Sequence, residues 1–129
     1  MTFVPITSLL CAVCALALVG LSIPVVIRRF EARVSLGDGN DKPLRARIRA
    51  QANFVEYVPL ALATIGLAEA NGTAPALIWT CAVGLVLGRT IHAVGMYTGA
   101  QPRWRAAGMT LTWLALGVSA LALARRVLG

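Results

Sequence analysis

The sequence predicts an all-α integral membrane protein, a single four-helix bundle occupying residues 1–129. Composition is the first reason. Of 129 residues, 58% are hydrophobic and 13% charged, against about 45–50% and about 25% for a soluble domain. Mean hydropathy is +0.77. The second reason is distribution. The apolar residues gather into four runs, roughly 6–27, 50–68, 74–97 and 106–123. Each is near the ~20 residues that cross a hydrocarbon core as a helix. The third reason is what separates the runs: turn residues and positive charge. There is no room for a second domain, and no internal repeat or low-complexity tract.

The first run has no basic stretch before it and arginines after it, Arg28 and Arg29. That order suits a retained anchor rather than a cleaved signal peptide. The stretch SLGDGNDKP that follows is rich in Gly, Asp, Asn and Pro, the residues of turns. Residues 33–42 are therefore expected to be mobile. The second helix is expected to start near Pro43 and to project into the cytoplasm through Arg45, Arg47 and Arg49 before entering lipid. NGTAP, residues 71–75, reads as a tight turn with Thr73 as N-cap and Pro75 in the first turn of the third helix. GAQP, residues 99–102, is expected to do the same for the fourth.

Charge predicts topology. The formal net charge is +7 from 12 basic and 5 acidic residues. Seven basic residues lie between the first run and the start of the second: Arg28, Arg29, Arg33, Lys42, Arg45, Arg47 and Arg49. Arg103 and Arg105 lie between the third and fourth runs, and the short loop at 69–73 has none. Basic loops stay cytoplasmic, so both termini are expected outside the cytoplasm, with Arg125 and Arg126 as a minor contrary signal. The basic residues flank spans and belong to no nucleic-acid module, which disfavours a nucleic-acid partner. Cys11, Cys14 and Cys81 sit inside the runs with no companion His/Cys set, so a metal site is not expected.

The residues that carry chemistry are polar groups where lipid should be. In RAQANFVEYVPL, residues 49–60, Arg49, Asn53 and Glu56 recur at i, i+4 and i+7. That spacing aligns them on one helix face. A buried carboxylate needs a cation or a proton, and Arg49 or Arg89 is the candidate partner for Glu56. In GRTIHAVGMY, residues 88–97, Arg89, His92 and Met96 share a face, with Tyr97 just off it. Arg103 and Arg105 open the fourth run. Ionisable groups in spans usually mark working sites. Against that, Asn53 also suits interhelical hydrogen bonding, His92 a structural hydrogen bond, and the flanking arginines a topological role. Together the clusters predict a cationic pocket mouth over polar groups, with apolar walls, formed most naturally between subunits.

RAQANFVEYVPL resembles the signature of the MAPEG superfamily, membrane-associated proteins of eicosanoid and glutathione metabolism, and is closest to its leukotriene synthase branch. GRTIHAVGMY and RAAGMTLTWL, residues 105–114, resemble the small bacterial members. The resemblance covers all four runs and the basic first loop. It implies a homotrimer of left-handed four-helix protomers in a bacterial inner membrane. It also implies glutathione as co-substrate, bound near the cytoplasmic side between protomers. Arg49, Gln51, Asn53, Glu56 and Tyr57 would be its ligands, with His92 and Arg28 or Arg29 contributing. Arg49 would hold a carboxylate, and Glu56 would accept from the amino group. The catalytic arginine would be Arg105, holding the sulfur as thiolate, with Arg103 the alternative by loop alignment. Met96 stands near the position of a tyrosine in the eicosanoid enzymes, and Ala106 where some members have serine. The implied function is a glutathione-dependent transferase or peroxidase acting on lipophilic electrophiles or lipid hydroperoxides. A non-catalytic lipid-binding scaffold of the same fold is the alternative. Too few deep polar residues in the first and fourth runs line a path for a transporter.

Overall fold

A computed structural model describes residues 3–99 and 102–129, and among them there are four α-helices and no strand. They are α1 (Pro5–Ala32), α2 (Lys42–Ala70), α3 (Pro75–Tyr97) and α4 (Pro102–Leu128). The four helices match the four apolar runs. By length and composition α1, α3 and α4 are apolar enough to cross a membrane. α2 is as long, but its first two turns carry Arg45, Arg47 and Arg49, and Asn53 and Glu56 follow. The protein is thus a multi-pass membrane protein whose second helix is its polar one.

The core is thin, as four helices allow. Leu10, Cys14, Phe54, Val58, Ala61, Ile65, Ile78, Cys81 and Leu85 fill it. Outside it, Leu16, Val19, Leu60, Trp113 and Leu121 are each more than half exposed. A soluble protein rarely leaves such an apolar surface open, whereas lipid or a neighbouring copy covers it at no cost. α3 packs most extensively on α4. Glycine makes that crossing close: a Cβ on Gly88 would stand 2.8 Å from the Gly108 carbonyl oxygen, and one on Gly108 would stand 2.6 Å from that of Gly88. Gly88 and Gly95 both lie in this contact, while a Cβ on Gly117 would meet nothing within 4 Å among the described residues.

The loop between α1 and α2 is tied down, contrary to the expectation of mobility. Asp41 caps α2 by accepting from the Leu44 N–H at 2.7 Å. Arg28 grips the same carboxylate through two nitrogens at 3.1 and 2.7 Å and reaches Glu31 at 3.0 Å. Arg29 donates to the carbonyls of Ser35 and Gly37, and Arg45 pairs with Asp38. Hydrogen bonds from Arg28 and from the Leu44 amide hold the Asp41 carboxyl below the usual carboxylate range. Arg45 does the same to Asp38.

The opposite end has its own clasp. The N-cap of α1, Val4, offers no side-chain acceptor. Glu69 at the end of α2 supplies one, accepting from the Ile6 N–H at 3.0 Å, the Thr7 N–H at 2.8 Å and the Thr7 hydroxyl at 2.6 Å. A carboxylate on a helix N-terminus satisfies orphan donors and meets the positive end of the helix dipole. Thr73 does not cap α3. The N-cap is Ala74, without a side-chain bond, and the Thr73 hydroxyl is buried with no partner among the described residues. Pro75 does begin the helix. The GAQP turn falls partly outside the described residues, and Pro102 opens α4.

Candidate functional site

α2 divides its polar residues between two faces. Arg47 and Gln51, one turn apart, face α1: Arg47 donates to the Pro24 carbonyl at 2.9 Å and Gln51 to the Ser22 hydroxyl at 2.7 Å. Arg49 and Asn53, also one turn apart, face the other way. They meet His92 and Met96 of α3 and Pro102, Arg105, Ala106, Met109, Thr110 and Trp113 of α4 around a cleft of about 470 Å³. His92 is buried, while Arg49 and Arg105 are exposed at the rim.

The electrostatics of the cleft follow from where the acids go. Among the described residues the ion pairs join Arg28 to Glu31 and Asp41, and Arg45 to Asp38. Glu69 is spent on α1. Arg49 and Arg105 make no ion pair among the described residues. Arg105 directs a nitrogen toward the Met96 sulfur at 3.7 Å. Two uncompensated guanidinium groups over an amide and an imidazole make a site for an anion. A second opening of about 360 Å³ shares Arg49, Met96 and Arg105 and adds Lys42, so positive charge continues outward.

The other residues singled out in the sequence lie elsewhere in the chain. Arg103 is exposed outside the cleft with its guanidinium 5.9 Å from the Trp104 ring. Arg28, Arg29 and Gln51 are held in the contacts above. Glu56 is exposed and pairs with neither Arg49 nor Arg89. Arg89 instead turns to Asn53, donating to its side-chain oxygen, and lies 5.8 Å from the Tyr57 ring. Sequence reasoning missed Met109, Thr110 and Trp113 as lining residues. The signal was there: with Ala106 they recur at i, i+3, i+4 and i+7 from the start of α4. It also missed Thr112, fully buried and accepting from Arg89 Nε at 2.9 Å.

Comparison with known proteins identifies the family. The MAPEG family model matches residues 7–125. The chain belongs to the MAPEG family. "Inner membrane protein YecN" of Escherichia coli K12 is 36% identical over 117 residues, covering 91% of this chain and 88% of its own. The counterpart from Escherichia coli O6:H1 has the same identity and coverage. For this MAPEG protein the matched span takes in every residue of the cleft.

Proposed function

We propose that this MAPEG protein is a glutathione-dependent transferase or peroxidase acting on lipophilic electrophiles or lipid hydroperoxides. The observation that carries the reading is that Arg49 and Arg105, neither in an ion pair among the described residues, share one cleft with Asn53 and His92. Glutathione brings two carboxylates and a thiol. Arg49 takes a carboxylate through its planar fork. Asn53 donates to the other carboxylate, and His92 hydrogen-bonds the peptide. Arg105 stabilises the sulfur as thiolate, which is the nucleophile. In conjugation the thiolate forms a C–S bond and displaces a leaving group or adds to an alkene. In the peroxidase reaction two glutathione molecules and one hydroperoxide give the disulfide, an alcohol and water.

Glu56 and Tyr57 complete the ligand set on the open face of α2. Arg28 belongs to α1 and Gln51 faces α1 from α2, both away from the cleft, so on this reading a neighbouring copy brings them to it. That division supports a homotrimer with one site at each junction. The basic first loop, with the cleft at its level, supports a site on the cytoplasmic side of the inner membrane with both termini outside. The relative named an inner membrane protein is consistent with that location.

A lipid-binding scaffold is the second reading. Gln51 held by Ser22 and Tyr57 set against Arg89 favour it, since both occupy structural contacts.

Titration of glutathione into detergent-purified protein tests the reading. Arg49→Ala is expected to weaken binding by about 1.5–3 kcal/mol, the range of a charged hydrogen bond. Equal affinity in the two proteins removes Arg49 from the site. Native mass measurement is expected to give three copies of the 13.6 kDa chain, and a monomer would contradict the shared site.

A further inference from the structure

Arg89 is a cation in the middle of a membrane bundle, only 6% exposed, and every acceptor around it is neutral. Nε donates to the Thr112 hydroxyl. Nη1 donates to the Asn53 side-chain oxygen and lies 3.5 Å from the Asn53 carbonyl. Nη2 lies 3.2 Å from the Met109 sulfur and 3.5 Å from the Gly108 carbonyl. A buried charge without a counter-ion is costly, and apolar residues of like volume usually pack as well or better. Bundle stability alone is therefore a weak reason for an arginine here.

What an arginine does that a neutral residue cannot is fix polarity. Guanidinium has five donors and no acceptor. An asparagine amide has two chemically opposite ends, and its orientation is decided by its partners. Facing Arg89, Asn53 has one choice: Oδ1 inward. The NH2 end is then left for the cleft that Asn53 lines, and no acceptor among the described residues takes its protons. We infer that Arg89 is a positioning residue that holds the Asn53 amide donor-outward. The cleft floor is thereby made selective for an anion, with a carboxylate the group it takes. The inference rests on the anion cleft proposed above. Without Arg89 the amide is free to turn its oxygen toward the ligand, replacing a donor by a repelling acceptor.

The test uses the full-length protein in lipid nanodiscs, with glutathione and its diethyl ester as probes. Wild type is expected to prefer the free acid by about tenfold or more, the factor expected for a charged hydrogen bond. Arg89→Lys, still donor-only, is expected to keep that preference within about threefold. Arg89→Gln, which has both a donor and an acceptor end, is expected to lose the part of the preference that Asn53 supplies, a fall of about tenfold, and to keep the part that Arg49 supplies. A purely structural Arg89 would lower the melting temperature of both variants and leave the preference of the folded protein unchanged, which overturns the inference. If Arg89→Gln does not fold, Asn53→Asp decides. Its carboxylate pairs with Arg89, so melting is not expected to fall, yet only acceptors face the cleft and glutathione affinity is expected to drop about tenfold or more. Unchanged affinity in Asn53→Asp overturns the inference. If wild type binds neither probe, the anion-cleft reading falls, and the amide is read directly by nitrogen-15 labelling of asparagine. Asn53 side-chain protons open to solvent exchange support the donor-outward amide, and protected ones overturn it.

Discussion

Gly88 and Gly108 touch backbone to backbone. A methyl group on Gly108 would meet the Gly88 carbonyl oxygen and the His92 amide nitrogen, each at 2.6 Å, and the His92 Cβ at 2.8 Å. That contact fixes how near α4 comes to α3. It therefore sets how far Arg105, one turn before Gly108, stands from His92.

Gly108→Ala is expected to push the two helices apart and destabilise the protein by about 1–3 kcal/mol, the usual range for overpacking. Gly117→Ala is the control. Its added carbon meets nothing within 4 Å, and alanine is the better helix former, so its melting temperature in detergent is expected to stay level or rise. Equal losses in the two variants would mean that the α3–α4 contact is looser than described.

The bundle was largely legible in the sequence because lipid imposes a length on every span, and the four apolar runs carried that length. The α3–α4 seam was not legible, since nothing in a single chain says which glycine meets which. Arg49 and Asn53 were placed together correctly by helical periodicity. Glu56 was assigned a cationic partner that the fold does not supply, because i, i+7 spacing gives a face and not a contact. Arg89 was read as a partner for a carboxylate when its partner is an amide. Glu69, within the loop expected at 69–73, belongs to the last turn of α2 and holds the start of α1. Its role needs Thr7, 62 residues away, and distances of that kind are set only by the closed fold.

Removing Glu69 tests the clasp between the termini of α1 and α2. Glu69→Ala leaves the amides of Ile6 and Thr7 and the Thr7 hydroxyl without their acceptor. The expected cost is about 1–2 kcal/mol, that of a lost helix cap. Hydrogen exchange should speed up first at Ile6 and Thr7. Unchanged exchange there would show that water replaces the carboxylate at no cost.

Asp41 gives the cytoplasmic loop a pH dependence of definite sign. Its folded pKa is lowered, first by Arg28 and then by the Leu44 amide. A carboxyl with a depressed folded pKa contributes stability that is present above its unfolded pKa, about 3.9. That stability is lost as pH falls through the folded value. Asp41→Asn keeps a capping residue and loses the ion pair. The variant is expected to melt below wild type at pH 7, with the gap closing as pH drops below about 4. A gap that persists or widens in acid would assign the effect to something other than the Arg28 pair.

The central claim is that Arg105 makes the cleft a thiolate site. A free thiol of this kind has a pKa near 8.5, so little is ionised at neutral pH. Lowering it by about two units takes about 2.7 kcal/mol of differential stabilisation, within reach of one guanidinium in a partly dry cleft. Ultraviolet absorbance of thiolate on mixing glutathione with purified protein near pH 7 reads this directly. The expected result is a thiolate band in wild type and in Arg103→Ala, which lies outside the cleft, and its loss in Arg105→Ala while glutathione still binds through Arg49 and Asn53. A wild-type protein that binds glutathione without the band, or an Arg105→Ala variant that keeps it, would contradict the claim.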